Sequence, residues 1–180
     1  MSYPNRKVTR PGTTRRVRLD GYDYSTPNYY FITICTHHRN QYFGPITDDE
    51  IFLSSAGTMV VKTILELEDK FPTISLDSFA VMPNHVHLLL GLSVRLNDGP
   101  VETSLVDVIH WLKTTTHRRY RDCVRLGEMS PYDGAVWQEG YHDHIVRNER
   151  ELDELRMYVS TNVERWDKDK FYDGFVDRRR

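Results

Sequence analysis

Two strand-length runs lie almost back to back in this chain, about Ile74 to Met82 and His85 to Leu92, with only Pro83-Asn84 between them. Proline has no N–H to give a ladder, so a connection between two strands is expected there. The chain must therefore build a sheet and cover it. Tyr29 to Thr36 reads as another strand, rich in aromatic and β-branched residues. Thr47-Asp48-Asp49-Glu50 reads as a capping box opening a helix, whose apolar stripe is Phe52, Ala56, Met59, Val60, Ile64 and Leu67. A second helix is expected from Ser104 to Asp122, with Leu105, Val108, Ile109, Leu112 and Thr116 on one side. Val136 to Val146 should hold a further strand or two, with Trp137 as a packing residue. Asn148 and Glu151 then cap a third helix running to about Asn162. The order strand, helix, strand, strand, helix, strand, helix predicts an α+β, ferredoxin-like sandwich. Its central antiparallel sheet carries the His85-Val86-His87 strand, with helices packed on it.

Pro4, Pro11, Gly12, Gly21 and Pro27 punctuate residues 1–28, which reads as a basic N-terminal arm. Residues 29–166 form the folded domain, and 167–180 a charged, loosely held tail. A length of 180 residues suits one core. No run approaches the roughly 20 apolar residues of a membrane span, and Met1 to Leu19 is polar and basic, so a cytoplasmic setting without membrane contact is expected. Cys35 and Cys123 stand far apart, which indicates neither a disulfide framework nor a zinc ribbon. The net charge of −2 at first speaks against a nucleic-acid partner. Phosphate contacts, however, need local rather than total positive charge. Arg6, Lys7, Arg10, Arg15, Arg16 and Arg18 all precede the first acidic residue, Asp20. Arg15, Arg16 and Arg18 are candidate nucleic-acid contacts, as is the i, i+4 ladder Lys113, His117 and Arg121. A solvated arm and helix face is the plainer reading of the same charges.

Side chains alternate along a strand, so His85 and His87 share one face while Val86, Leu88 and Leu90 share the other. Two imidazoles on one face, roughly 7 Å apart at the backbone, can converge on one metal ion. Two solvent-facing histidines with no task give the same pattern. On the third helix, Leu152, Leu155, Val159 and Val163 form the core stripe, and Tyr158 and Asn162 stand at its edge one turn apart. Taken alone, Tyr158 reads as a core-flanking residue with its hydroxyl in water. Patterning does not say which face of the sheet this helix covers.

The run Val81-Met82-Pro83-Asn84-His85-Val86-His87-Leu88-Leu89 resembles the HUH motif (His, hydrophobic, His) of the REP-associated tyrosine transposases, single-tyrosine enzymes of the bacterial insertion-sequence type. The segment from Trp137-Gln138 through His142 and His144 to Arg147-Asn148 is similar to that family's second signature. Tyr158, eleven residues past Arg147, falls where the family places its nucleophile, and Asn162 resembles its amide metal ligand. Many members have Asn-Pro where this chain has Asn162-Val163. The resemblance spans about Tyr29 to Trp166.

It implies a metal-dependent endonuclease and strand transferase for single-stranded or hairpin-flanked DNA, working as a monomer or homodimer. His85, His87 and Asn162 would hold Mg²⁺ or Mn²⁺, and Tyr158 would attack phosphorus to leave a 5′-phosphotyrosine link and a free 3′-hydroxyl. His144 reads either as a residue that supports the site or touches DNA, or as a structural histidine. A histidine-triad hydrolase would need a third alternate histidine where Leu89 stands, and a two-histidine phosphoesterase needs His-x-Ser/Thr, which His87-Leu88-Leu89 lacks. A retired transposase that still grips DNA hairpins is the alternative from another functional class.

Overall fold

A computed structural model describes residues 21–93 and 103–172. In chain order its elements are β1 (Asn28–Cys35), the short β2 (Ile46–Thr47) and β3 (Glu50–Ile51), α1 (Ser55–Leu65) and α2 (Leu67–Lys70). There follow β4 (Ile74–Met82), β5 (His85–Leu92), α3 (Leu105–Arg125), β6 (His142–Ile145) and α4 (Glu149–Ser160), then a 3₁₀ turn over Val163–Lys168. Four strands make one sheet in the order β4-β5-β1-β6, every neighbouring pair antiparallel. With β2–β3 set aside, this is the strand order of the ferredoxin-like fold. No helix among the described residues is long and apolar enough to cross a membrane.

All eight residues of β5 are buried, because helices cover both faces of the sheet. Tyr30, Ile32 and Ile34 of β1 and Val86, Leu88 and Leu90 of β5 pack on one side with Val60 and Ile64 of α1 and Val108, Ile109 and Leu112 of α3. Trp137 joins this core, its Nε1 donating to Thr116 Oγ1 at 2.8 Å. On the other side lie Phe31 and Leu89, covered by Leu152, Leu155, Tyr158 and Val159 of α4. The even residues of β1 thus serve one core and the odd ones the other, as the strand period of two requires.

The first helix begins later than the capping-box reading places it. Thr47 and Glu50 flank a two-residue turn between β2 and β3, with Asp48 and Asp49 at φ 52° and 61°. Asp tolerates this left-handed conformation better than most residues, so an Asp-Asp pair suits a hairpin turn as well as a first helical turn. Ser54 is the cap instead, its Oγ accepting from Gly57 N at 3.0 Å. Phe52, assigned to the apolar stripe, is 56% exposed as a result. The segment from Val136 to Val146 supplies one strand plus a single bridge from Trp137 to Thr36. At the start of the charged tail, Phe171 is buried, as is Trp166 just before it.

Candidate active site

His85 and His87 project from β5 toward α4, and both are fully buried. The register sets Thr33 opposite His87 and Cys35 opposite His85. The two Nε2 atoms lie 3.0 Å apart. Two ligands at about 2.1 Å from one ion, on adjacent octahedral vertices, are separated by about the same distance. The outer ring nitrogens are engaged elsewhere. His87 Nδ1 sits 2.9 Å from Thr33 Oγ1, and His85 Nδ1 sits 2.8 Å from Asn84 Oδ1. Asn84 Nδ2 donates to the Phe171 carbonyl at 2.9 Å, which fixes how the amide points. An amide oxygen only accepts, so His85 Nδ1 must carry the proton and its Nε2 lone pair faces the site. Burial, then the neighbouring His87 and the positive charges of Lys170 and Arg39, push His85 down to about 2. His87 falls to about 3, through burial first and Lys170 second. Both rings are therefore neutral at physiological pH, the form that binds metal.

Helix α4 lies on the same face as the histidines. Its angle is held partly by Arg156, which reaches Asp77 of β4 with Nη2···Oδ2 at 2.6 Å. A bulge between Leu76 and Ser78 turns Asp77 out of the ladder for this contact. Tyr158 lies edge-on to both Phe31 and His87, with ring centroids 5.8 and 5.3 Å away. Its hydroxyl sits 3.4 Å from Asp169 Oδ2. Burial and then the Asp169 charge raise the phenol's pKa, while the Asn162 amide beside it pulls the other way. Asn162 is 3% exposed, and its Oδ1 is buried without a hydrogen-bond partner. An orphaned buried oxygen of this kind calls for a cation or a donor. Tyr158, Asn162, Asp169, Lys168, Lys170 and Arg165 line one open cleft of about 580 Å³.

The structure thus brings together His85, His87, Tyr158 and Asn162, and adds two residues that the sequence reading misses. One is Asn84. The other is Asp169, whose carboxylate forms with the two histidines a donor group lying within 4.8 Å. The available signal for Asp169 was weak: two aromatics, Trp166 and Phe171, embedded in a charged stretch. His144 hydrogen-bonds Glu151 at 2.8 Å, joining β6 to the first turn of α4 rather than touching either histidine. The ladder Lys113, His117 and Arg121 lies on α3, across the sheet. There Lys113 donates to the Gln138 and Gly140 carbonyls, His117 meets the Tyr132 hydroxyl at 3.3 Å, and Arg121 meets Asp122. Arg15, Arg16 and Arg18 lie outside the described residues.

Comparison with known proteins places this geometry in context. The sequence model of the family "Transposase IS200 like" matches residues 25–162. An uncharacterised protein of Haemophilus influenzae is 26% identical over 166 residues, which cover 88% of this chain and 92% of that protein. Among solved structures, a REP-associated tyrosine transposase bound to a REP hairpin is similar with a TM-score of 0.53 and 15% identity, covering 83% of this chain and 72% of the other. A candidate transposase from Deinococcus radiodurans aligns with a TM-score of 0.49 and 20% identity, over 79% of this chain and 95% of its own. The likeness to the REP-associated enzyme is one of fold. The family match covers most of the chain and runs from before β1 to Asn162, and on it the chain belongs to the IS200-like transposases.

Proposed function

We propose that the protein is a single-tyrosine transposase of the REP-associated type, which nicks and rejoins single-stranded or hairpin-flanked DNA through Tyr158. The observation that carries this reading is the convergence of His85 Nε2 and His87 Nε2 to 3.0 Å beside the Tyr158 ring. A divalent ion, Mg²⁺ or Mn²⁺, held by His85, His87 and the unpartnered Asn162 Oδ1, would polarise the scissile phosphate and neutralise its charge. Neutral imidazoles and an amide oxygen suit such an ion, and they leave positions open for phosphate oxygens.

The chain's own residues supply the remaining steps. The raised pKa keeps Tyr158 protonated in the resting protein, so the phenoxide forms only during attack. Its Oη bonds to phosphorus, the bond from phosphorus to the 3′-oxygen breaks, and the DNA is left with a free 3′-hydroxyl and a 5′-phosphate on the tyrosine. The phosphotyrosine conserves the bond energy, so an incoming 3′-hydroxyl reverses the step and joins strands without ATP. Phe31 and His87 hold the ring edge-on, which limits rotation of the nucleophile. Lys168, Lys170 and Arg165 at the cleft mouth offer positive charge to the DNA backbone.

The reading is tested by incubating the protein with labelled hairpin DNA carrying a single-stranded flank, with and without Mn²⁺. The expected result is a protein–DNA adduct that survives denaturation and forms only with metal. Tight hairpin binding with neither adduct nor nick would favour the retired binding protein instead.

A further inference from the structure

We infer that Asp169 is a ligand of the same metal ion and, among the described residues, its one charged ligand, so that the segment Val163–Phe171 is part of the metal centre. This rests on the metal-dependent reading above and extends it beyond Asn162, where the family match ends.

Four observations carry it. First, the Asp169 carboxylate is the third member of the donor group with His85 and His87, and its Oδ2 lies 4.0 Å from His85 Nε2. At metal–ligand distances of about 2.1 Å, opposite octahedral ligands are about 4.2 Å apart and adjacent ones about 3.0 Å. The His85–His87 separation of 3.0 Å is that of adjacent ligands, and the three donor atoms, all within 4.8 Å of one another, span little more than the diameter of one such coordination sphere. Second, the Asp169 side chain is 2% exposed, yet among the described residues no lysine or arginine forms an ion pair with it. Its partners are the Phe171 amide on Oδ1 at 2.6 Å and the Tyr158 hydroxyl on Oδ2 at 3.4 Å. A buried carboxylate with no ion-pair partner in contact is costly, and a cation at Oδ2 offsets that cost. Third, hard divalent ions favour carboxylate oxygen, and His85, His87 and Asn162 bring none. Fourth, one side chain positions both ends of the arrangement. Asn84 Oδ1 accepts from His85 Nδ1, while Asn84 Nδ2 holds the Phe171 carbonyl of the turn that carries Asp169.

The test is calorimetric titration of the full chain with MnCl₂ in the absence of DNA, paired with hydrogen exchange of the unmodified protein with and without Mn²⁺. Asp169→Asn keeps an oxygen for the Phe171 amide and removes the charge, and should weaken Mn²⁺ binding by about 10- to 100-fold. In the unmodified protein, Mn²⁺ should slow exchange across residues 163–172 more than across α1. His85→Ala should abolish binding. If His85→Ala does so but Asp169→Asn binds as tightly as the original and exchange at 163–172 does not respond, Asp169 is no ligand, and the metal-dependent reading stands without it. If the unmodified chain binds no Mn²⁺, or if His85→Ala binds normally, both readings fall. Should Asp169→Asn not fold, the exchange response of the unmodified protein decides.

Discussion

Removing the Asn84 side chain gives the sharpest structural perturbation, because one buried amide joins a proposed metal ligand to the end of the domain. Asn84 is fully buried and uses both ends of its side chain, Oδ1 toward His85 Nδ1 and Nδ2 toward the Phe171 carbonyl. Asn84→Ala leaves a buried ring N–H without an acceptor and a buried carbonyl without its donor. Each orphaned group costs about 1–3 kcal/mol, and the small void adds up to about 1 kcal/mol. We therefore expect a loss of about 3–5 kcal/mol, which in a protein of this size lowers Tm by about 6–20 °C. Asn84→Asp separates the two bonds: it keeps the acceptor for His85 but turns an oxygen toward the Phe171 carbonyl. It should detach the Phe171 turn while leaving the His85 proton on Nδ1. Thermal unfolding followed by circular dichroism gives the first quantity, and imidazole ¹⁵N shifts report the tautomer. A Tm for Asn84→Ala within about 2 °C of the parent, with His85 still protonated on Nδ1, would refute the reasoning.

Acid sensitivity follows from the two buried histidines. Their folded pKa values, about 2 and about 3, lie below the unfolded value, so the unfolded chain takes up protons first as pH falls. Their contribution is complete above about pH 6.5 and is lost on descent toward the folded values, at up to about 1.4 kcal/mol per pH unit for each ring. Urea unfolding between about pH 6.5 and 4 should show a shallower slope for His87→Gln than for the parent, and equal slopes would contradict the assignment. At the β2–β3 turn, Asp49 holds φ 61°, a conformation that costs a residue with a Cβ. Asp49→Gly should raise stability by about 0.5–1 kcal/mol in chemical denaturation, and a loss would show that the aspartate makes a compensating contact.

Much of this fold could be read from periodicity. The alternation of His85, His87 and Leu89 against Val86, Leu88 and Leu90 is the division between the two cores, and the stripe from Leu105 to Thr116 is the buried face of α3. The start of α1 was misread because Asp48-Asp49 serves a left-handed turn as readily as a helix cap. Only tertiary packing decides between them; in the fold the helix is capped by Ser54, with Gly57 seated against the Phe43 carbonyl where a Cβ would collide. At the site, the HUH strand and the Tyr158–Asn162 spacing were legible as local patterns, but the face chosen by α4 was not. That face is set by long-range packing, of Leu152, Leu155 and Val159 on the Phe31 and Leu89 side of the sheet, with Arg156 reaching Asp77 across 79 residues. Asp169 and Asn84 were illegible for a related reason. Each acts through one long-range contact, to His85 and to Phe171 respectively, and neither contact leaves a periodic trace in the sequence.

The central claim is that Tyr158 is the nucleophile, and the most direct test is the mass of the protein after reaction. Tyr158→Phe removes one oxygen and its 3.4 Å contact with Asp169 but keeps the ring that packs on Phe31 and His87, so folding and hairpin binding should persist. Intact mass spectrometry after incubation with hairpin DNA and Mn²⁺ should show the parent protein heavier by the cleaved 5′-phosphorylated strand, with peptide mapping placing that mass on Tyr158. Tyr158→Phe should show no added mass and no nicked product. An adduct of the same mass on Tyr158→Phe, carried by another tyrosine such as Tyr141, or nicking without any adduct, would contradict the single-tyrosine mechanism.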